Sequence, residues 1–146
     1  MSRATVKAGI VTVIRKHADF TSANAKADDL RVLAKGPARA VRVKYRSHRR
    51  EEATFGIIAY RWLFDVEVYV PWAGEQDTTQ ANIDTEVAKV LVTFDAWPKL
   101  SATAGVIDAV LSDSRPMEPA EETKGAYWRE VLTCEVIEDV ARAASE

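Results

Sequence analysis

At 146 residues the chain has the length of one domain, large enough to bury a core without disulfides or metal. Its 47% hydrophobic and 29% charged residues, with a net charge of −2, exclude a disordered or fibrous chain and a polycationic one. A single cysteine, Cys134, excludes an internal disulfide, and no apolar run approaches the ~20 residues of a membrane-spanning helix. Taken in chain order, Val6, Ile10, Val13 and Ile14 form an apolar stripe within Thr5–His17, which predicts an amphipathic helix ending on Arg15, Lys16 and His17. Lys7 and Gly9 interrupt that apolar patch, so a secretory leader is not expected and the chain reads as cytosolic.

Residues 18–36 are small, polar and mixed, and read as a variable loop with one helical turn around Asp28–Leu33. Gly36-Pro37 marks a turn. Ala38–Arg46 then alternates: Val41, Val43 and Tyr45 face one way, and Arg42, Lys44 and Arg46 the other. The charged stretch Ser47–Ala53 reads as the connection to a second antiparallel strand, Thr54–Val70, with a bulge at Gly56. In that strand Tyr60, Trp62, Phe64, Val66, Val68 and Val70 share a face, opposite Arg61, Asp65 and Glu67, and Pro71 ends the ladder.

Asp77-Thr78-Thr79-Gln80 has the form of a capping box, with Asp77 as the N-cap. The helix after it places Ile83, Val87, Val90, Leu91 and Phe94 on one face and Asp84, Thr85, Lys89 and Thr93 on the other, and it stops at Trp97-Pro98. Val106–Leu111 reads as a third strand and Ser112–Lys124 as a mobile loop or hairpin tip. Tyr127–Ile137 reads as the last strand, with Trp128, Leu132, Cys134 and Val136 inward, and residues 141–146 as a frayed tail. The order predicts one α+β domain, residues 1–146, with its core in 37–140. It is a mostly antiparallel, mixed sheet with two amphipathic helices packed on one face. Such a sheet leaves an edge open to another chain.

No catalytic grammar accompanies this scaffold. His17 and His48 lie in different polar segments with no nucleophile beside either. The six glycines never form a phosphate loop, and one cysteine with two separated histidines matches no metal-ligand spacing. Asp65 and Glu67 share a strand face and could pair as carboxylates, but solvated charges are the favoured reading, and Cys134 reads as an inert core thiol. No catalytic, cofactor or metal residue is assigned.

Charge is distributed unevenly. Seven bases and no acid lie between Lys35 and Arg50, whereas Glu118, Glu121 and Glu122 cluster before the last strand. The basic set Arg42, Lys44, Arg46, Arg49 and Arg50 admits three readings. It is a solvated strand face, or a phosphate-gripping hairpin with only Tyr45 to stack on a base, or a surface complementary to the acidic loop of a neighbouring subunit. Trp72 and Trp97, just past a strand and a helix, are candidates for an interface or for packing over the core edge.

An ordered set of short elements resembles the lambda-type tail terminator proteins of long-tailed bacteriophages. After the N-terminal helix comes Pro37-Ala38-Arg39-Ala40-Val41-Arg42-Val43, and the long strand ends on Glu67-Val68-Tyr69-Val70-Pro71. A polar loop, a helix, Leu100-Ser101 and finally Trp128-Arg129-Glu130-Val131-Leu132-Thr133 complete the set. The likeness runs from Pro37 to Val140, and the chain departs from the pattern in Ala18–Lys35 and in its basic hairpin. The resemblance implies a structural virion protein at the head–tail junction, assembled in the cytoplasm of a bacterial host. It would form a homo-oligomeric, six-membered ring on the head-proximal end of the tail tube. That ring would contact the tube protein and a head-side neck protein, and DNA would pass through its lumen without sequence-specific binding. No enzyme activity, cofactor or membrane is implied. A head-closure or tail-to-head joining protein of the neck, and a small nucleic-acid-binding module, are the alternative readings.

Overall fold

Alternating apolar residues dictate the centre of the molecule. In the computed structural model, which describes residues 3–141 except 29, 30, 32, 34, 35, 55 and 101–105, they build a five-stranded sheet. Its strands are β1 (Ala25–Ala27), β2 (Ala40–Thr54), β3 (Ile57–Pro71), β4 (Val106–Pro119) and β5 (Tyr127–Ala141). Helix α1 (Arg3–Ile14) precedes β1, and α2 (Gln76–Ala96) joins β3 to β4. The spatial order is β1-β2-β3-β5-β4; β1 runs parallel to β2 and every other pair is antiparallel. The α+β class, the mostly antiparallel mixed sheet and the two helices packed on it are as the sequence predicts.

The period-2 pattern places Val41, Val43, Phe64, Val66, Val68, Cys134 and Val136 on the helix-covered face, each nearly inaccessible. Against them pack Val6, Ile10, Val13 and Ile14 of α1 and Ile83, Val90 and Phe94 of α2. Each such side chain contributes about 1.5–3 kcal/mol by leaving water, which offsets the weak helix propensity of the β-branched residues in α1.

Four details differ from the sequence reading. Strand β2 does not stop at Arg46: it continues through Ser47–Thr54, the stretch expected to be a connection. Over His48–Glu51 the side chains of both faces are exposed, so no apolar alternation marks the strand there. Gly56, at φ +79°, serves the hairpin turn between β2 and β3 rather than a bulge. β4 likewise runs on to Pro119 where a loop was expected, as a bulged edge strand whose register shifts accommodate Pro116. β1, inside the expected variable loop, is too short to carry a periodic signal.

The start of α2 also differs. Its N-cap is Glu75, and the Thr79 hydroxyl donates to the Glu75 carbonyl at 2.8 Å while accepting from the Ala73 N–H at 3.0 Å. Asp77 therefore lies in the first turn, where a negative charge suits the helix dipole. The buried face is Thr79, Ile83, Glu86, Val87, Val90, Thr93 and Phe94, so Thr93 is inside and Leu91 is 37% exposed, the reverse of the sequence reading. A threonine can take that place because its hydroxyl donates to the Lys89 carbonyl at 2.7 Å. Trp97 ends the helix as expected. The helical turn expected at 28–33 and the tail after Ala141 fall wholly or partly outside the described residues.

This face assignment separates two leucine-sized residues of one helix. Ile83→Ala should cost about 3 kcal/mol in urea unfolding, whereas Leu91→Ala should stay within about 0.5 kcal/mol of the parent.

Candidate functional site

Neither α1 nor α2 covers the second face of the sheet, and its chemistry follows from register. β2 and β3 pair Arg42 with Glu67 and Lys44 with Asp65; β5 adds Val131 and Thr133 on the same rows. Opposite charges thus meet across strands, where side chains directly opposite are close enough to interact.

Glu67 is the centre. Its side chain is 5% exposed, and it accepts from Arg42 Nε and from the Tyr69 hydroxyl at 3.2 Å. Arg129 Nη1 approaches its other oxygen at 3.4 Å. Arg129 also donates through Nε to Glu118 at 3.2 Å and through Nη1 to Glu122 at 3.4 Å and to the Tyr69 oxygen at 3.5 Å. Arg42 Nη2 lies 4.0 Å from Glu122. Burial pushes the Tyr69 phenol up to about 12, and the Glu67 carboxylate adds to the rise. Burial pulls the Arg42 and Arg129 guanidiniums down, but their acceptors outweigh it and hold both above the usual arginine value. Glu122 is held below the usual carboxylate value by a hydrogen bond to its own backbone N–H, then by Arg129 and Arg42.

Two further groups follow along the face. Asp65 engages Arg46, whose Nη2 also donates to the Thr133 hydroxyl at 3.1 Å, with Arg115 at 3.8 Å. Arg61 bridges Glu51 at 2.9 Å and Glu135 at 2.6 Å, and both carboxylates raise its guanidinium. Asp65 and Glu67 are therefore not solvated charges, being 15% and 5% exposed: arginines from the neighbouring strands lie over them. Each carboxylate has its own arginine.

The candidate residues thus divide. Arg42 and Arg46 are engaged within the chain, and so are Glu118 and Glu122, which meet Arg129, a residue the sequence reading left without a role. Glu118 belongs to β4, and Glu121 and Glu122 to a 3-10 turn after it, Glu121–Thr123. Arg49 lies 3.7 Å from Glu51 and is exposed, while Lys44, Arg50 and Glu121 are exposed with no ion pair among the described residues. Arg129 was legible in principle, as the base that falls opposite Tyr69 once β3 and β5 are in register.

The helix-covered side carries an aromatic file at the projecting end of the β2–β3 hairpin. His48 packs on Trp62 with ring centres 4.8 Å apart, and its Nδ1 is 2.6 Å from the Tyr45 hydroxyl. Trp62 Nε1 donates to the buried Glu138 at 3.3 Å. Trp72 and Trp97 are each 39% exposed; Trp72 stacks on Trp128 at 5.0 Å, and Lys16 lies over the Trp97 ring at 4.6 Å. Trp62 is buried as expected, whereas Trp128 is only partly so. Cys134 is buried in the core, and burial pushes its thiol well above the ordinary cysteine value. Among the described residues no group of three or more His, Cys, Asp or Glu could hold a metal ion.

No protein-family model matches this chain, and no curated protein matches it. Among the described residues the geometry offers a charge-ordered surface and open strand edges.

Tyr69 gives this network a pH signature. An unfolded tyrosine releases its proton near pH 10, whereas the folded Tyr69 keeps it to about 12, so stability present below pH 10 is lost as pH rises through that window. Between about pH 9 and 12 the wild type should lose up to about 2 kcal/mol more stability than Tyr69→Phe, measured by urea unfolding.

Proposed function

We propose that the chain is a structural subunit of a long-tailed phage or phage-like particle. It forms a ring on the head-proximal end of the tail tube, stops tube growth and presents the surface to which the head attaches. The observation that carries this reading is the one-sided sheet. Helices cover one face and ion pairs of the same chain close the other; among the described residues, the edges of β2 beyond β1 and of β4 remain open for neighbours. It supports a subunit that folds alone and associates through its rim. The resemblance of the ordered elements from Pro37 to Val140 supplies the particular assembly.

Within that reading the exposed bases Lys44, Arg49 and Arg50 belong to a surface facing a partner or the DNA-carrying lumen. Arg42 and Arg46, committed to Glu67 and Asp65, position that surface instead of contacting the partner. Trp72 and Trp97 supply half-exposed rings to the contact with the tube or neck protein. No chemical step and no cofactor enter this role.

Interrupting the gene in its producing strain tests the assignment by electron microscopy of the particles. Overlong tubes beside tailless, DNA-filled heads are expected. Tubes of normal length left unattached would move the protein to the head side of the neck, and normal particles would overturn the viral assignment.

A further inference from the structure

The two rims of the sheet match each other. On one side, β1 pairs only with Val41–Val43, so from Lys44 onward β2 has no backbone partner on its outer edge among the described residues. On the other side, β4 is the terminal strand and pairs only with β5. Register shifts interrupt both strands, and each open edge has one longest regular stretch. These are Ser47–Glu52 in β2, between the shifts at Tyr45/Ser47 and Glu52/Thr54, and Asp108–Ser112 in β4, between those at Val106/Asp108 and Ser112/Ser114. Open edges of this kind present unpaired N–H and C=O groups along their length.

The two stretches lie at the same height. Ser47 pairs with Leu63, Leu63 with Glu135 and Glu135 with Val110, so Ser47 and Val110 end a single row. Arg49, Arg61, Ile137 and Asp108 form another row in the same way. β2 and β3, β3 and β5, and β5 and β4 are each antiparallel, so β2 and β4 run in opposite directions. A second copy set beside the first therefore brings its β4 antiparallel to the open half of β2, with Val110 next to Ser47 and Asp108 next to Arg49.

From these matches we infer that the occupant of the open β2 edge is the β4 edge of a second copy of this chain, joined in one continuous antiparallel sheet. Charge supports the pairing: Arg49, exposed and only 3.7 Å-paired to Glu51, meets the acid Asp108. Shape supports it as well. Val110, at the outer rim of β4, is 43% exposed on its own subunit and would be covered by the neighbouring strand. Because the two edges differ, the contact is heterologous, and repeated copies either close into a ring or continue as a filament. This deepens the ring reading and rests on it for closure, but the edge contact itself can be tested separately.

Two sets of variants test it on the full-length protein. Arg49→Asp and Asp108→Arg should each weaken self-association about tenfold. The double reversal R49D/D108R, which restores opposite charges at every interface, should recover it to within about threefold, read by sedimentation and native mass spectrometry. Ser47→Cys combined with Val110→Cys should give a ladder of intermolecular disulfides on mild oxidation, with the buried Cys134 out of reach. A protein that stays monomeric at ~1 mM without a disulfide ladder, or a double reversal no better than the single changes, overturns the edge pairing. A ring seen by electron microscopy whose subunits fail to cross-link at 47 and 110 overturns the pairing and leaves the ring reading standing. Cross-linked open filaments without rings support the pairing and overturn closure.

Discussion

Glu67 between Arg42 and Arg129 is the constraint on which the rest of the structure depends. A sheet with helices on one side has a second face that must be covered, wetted or satisfied internally. Here the central rows hold charges of both signs, and the cross-strand register lets each carboxylate find an arginine. Burying an ion is costly unless its partners are well placed. Glu67 meets that condition through two guanidiniums and a phenol, with Tyr69, Leu33, Ala40, Ala120 and Tyr127 forming a small apolar cluster beside it. The same node ties the turn after β4 to the sheet through Glu118 and Glu122.

That arrangement changes the meaning of the uneven charge. As a linear pattern, the bases of 35–50 and the acids of 118–122 look like two patches awaiting partners. In three dimensions Arg42 and Glu122 come within 4.0 Å of each other, and Arg129 holds Glu118 and Glu122 together. The charge left for a partner is smaller and more localised: Lys44, Arg49 and Arg50 toward the projecting hairpin, and Glu121 at the turn. In the proposed assembly, neighbours meet at the rims, where electrostatics set orientation more than affinity.

Much of the fold was legible because burial imposes a period. Val41 and Val43, the run from Trp62 to Val70, and Ile83 to Phe94 face the core and announce their elements. What could not be read lies where that asymmetry fails. His48–Glu51 is exposed on both faces, β4 beyond Ser112 is a bulged edge, and β1 spans three residues. Leu91 and Thr93 exchanged places because a helical stripe is about 100° wide and its margin is decided by neighbouring elements. The candidate site was only half legible. The strand pattern put Arg42, Arg46, Asp65 and Glu67 at the right spacing, but which base meets which acid depends on register, and register belongs to strand pairs.

The central claim is that the uncovered face is held by mutual pairing and not by isolated, solvated charges. A double-mutant cycle on Arg42 and Glu67 tests it most directly, using Arg42→Met, Glu67→Gln and the combination in equilibrium unfolding. The account predicts that each single change costs about 3 kcal/mol and that the double costs about 2 kcal/mol less than their sum. Additivity within about 0.5 kcal/mol would contradict it, and the charges of this face would then be solvated neighbours without mutual support.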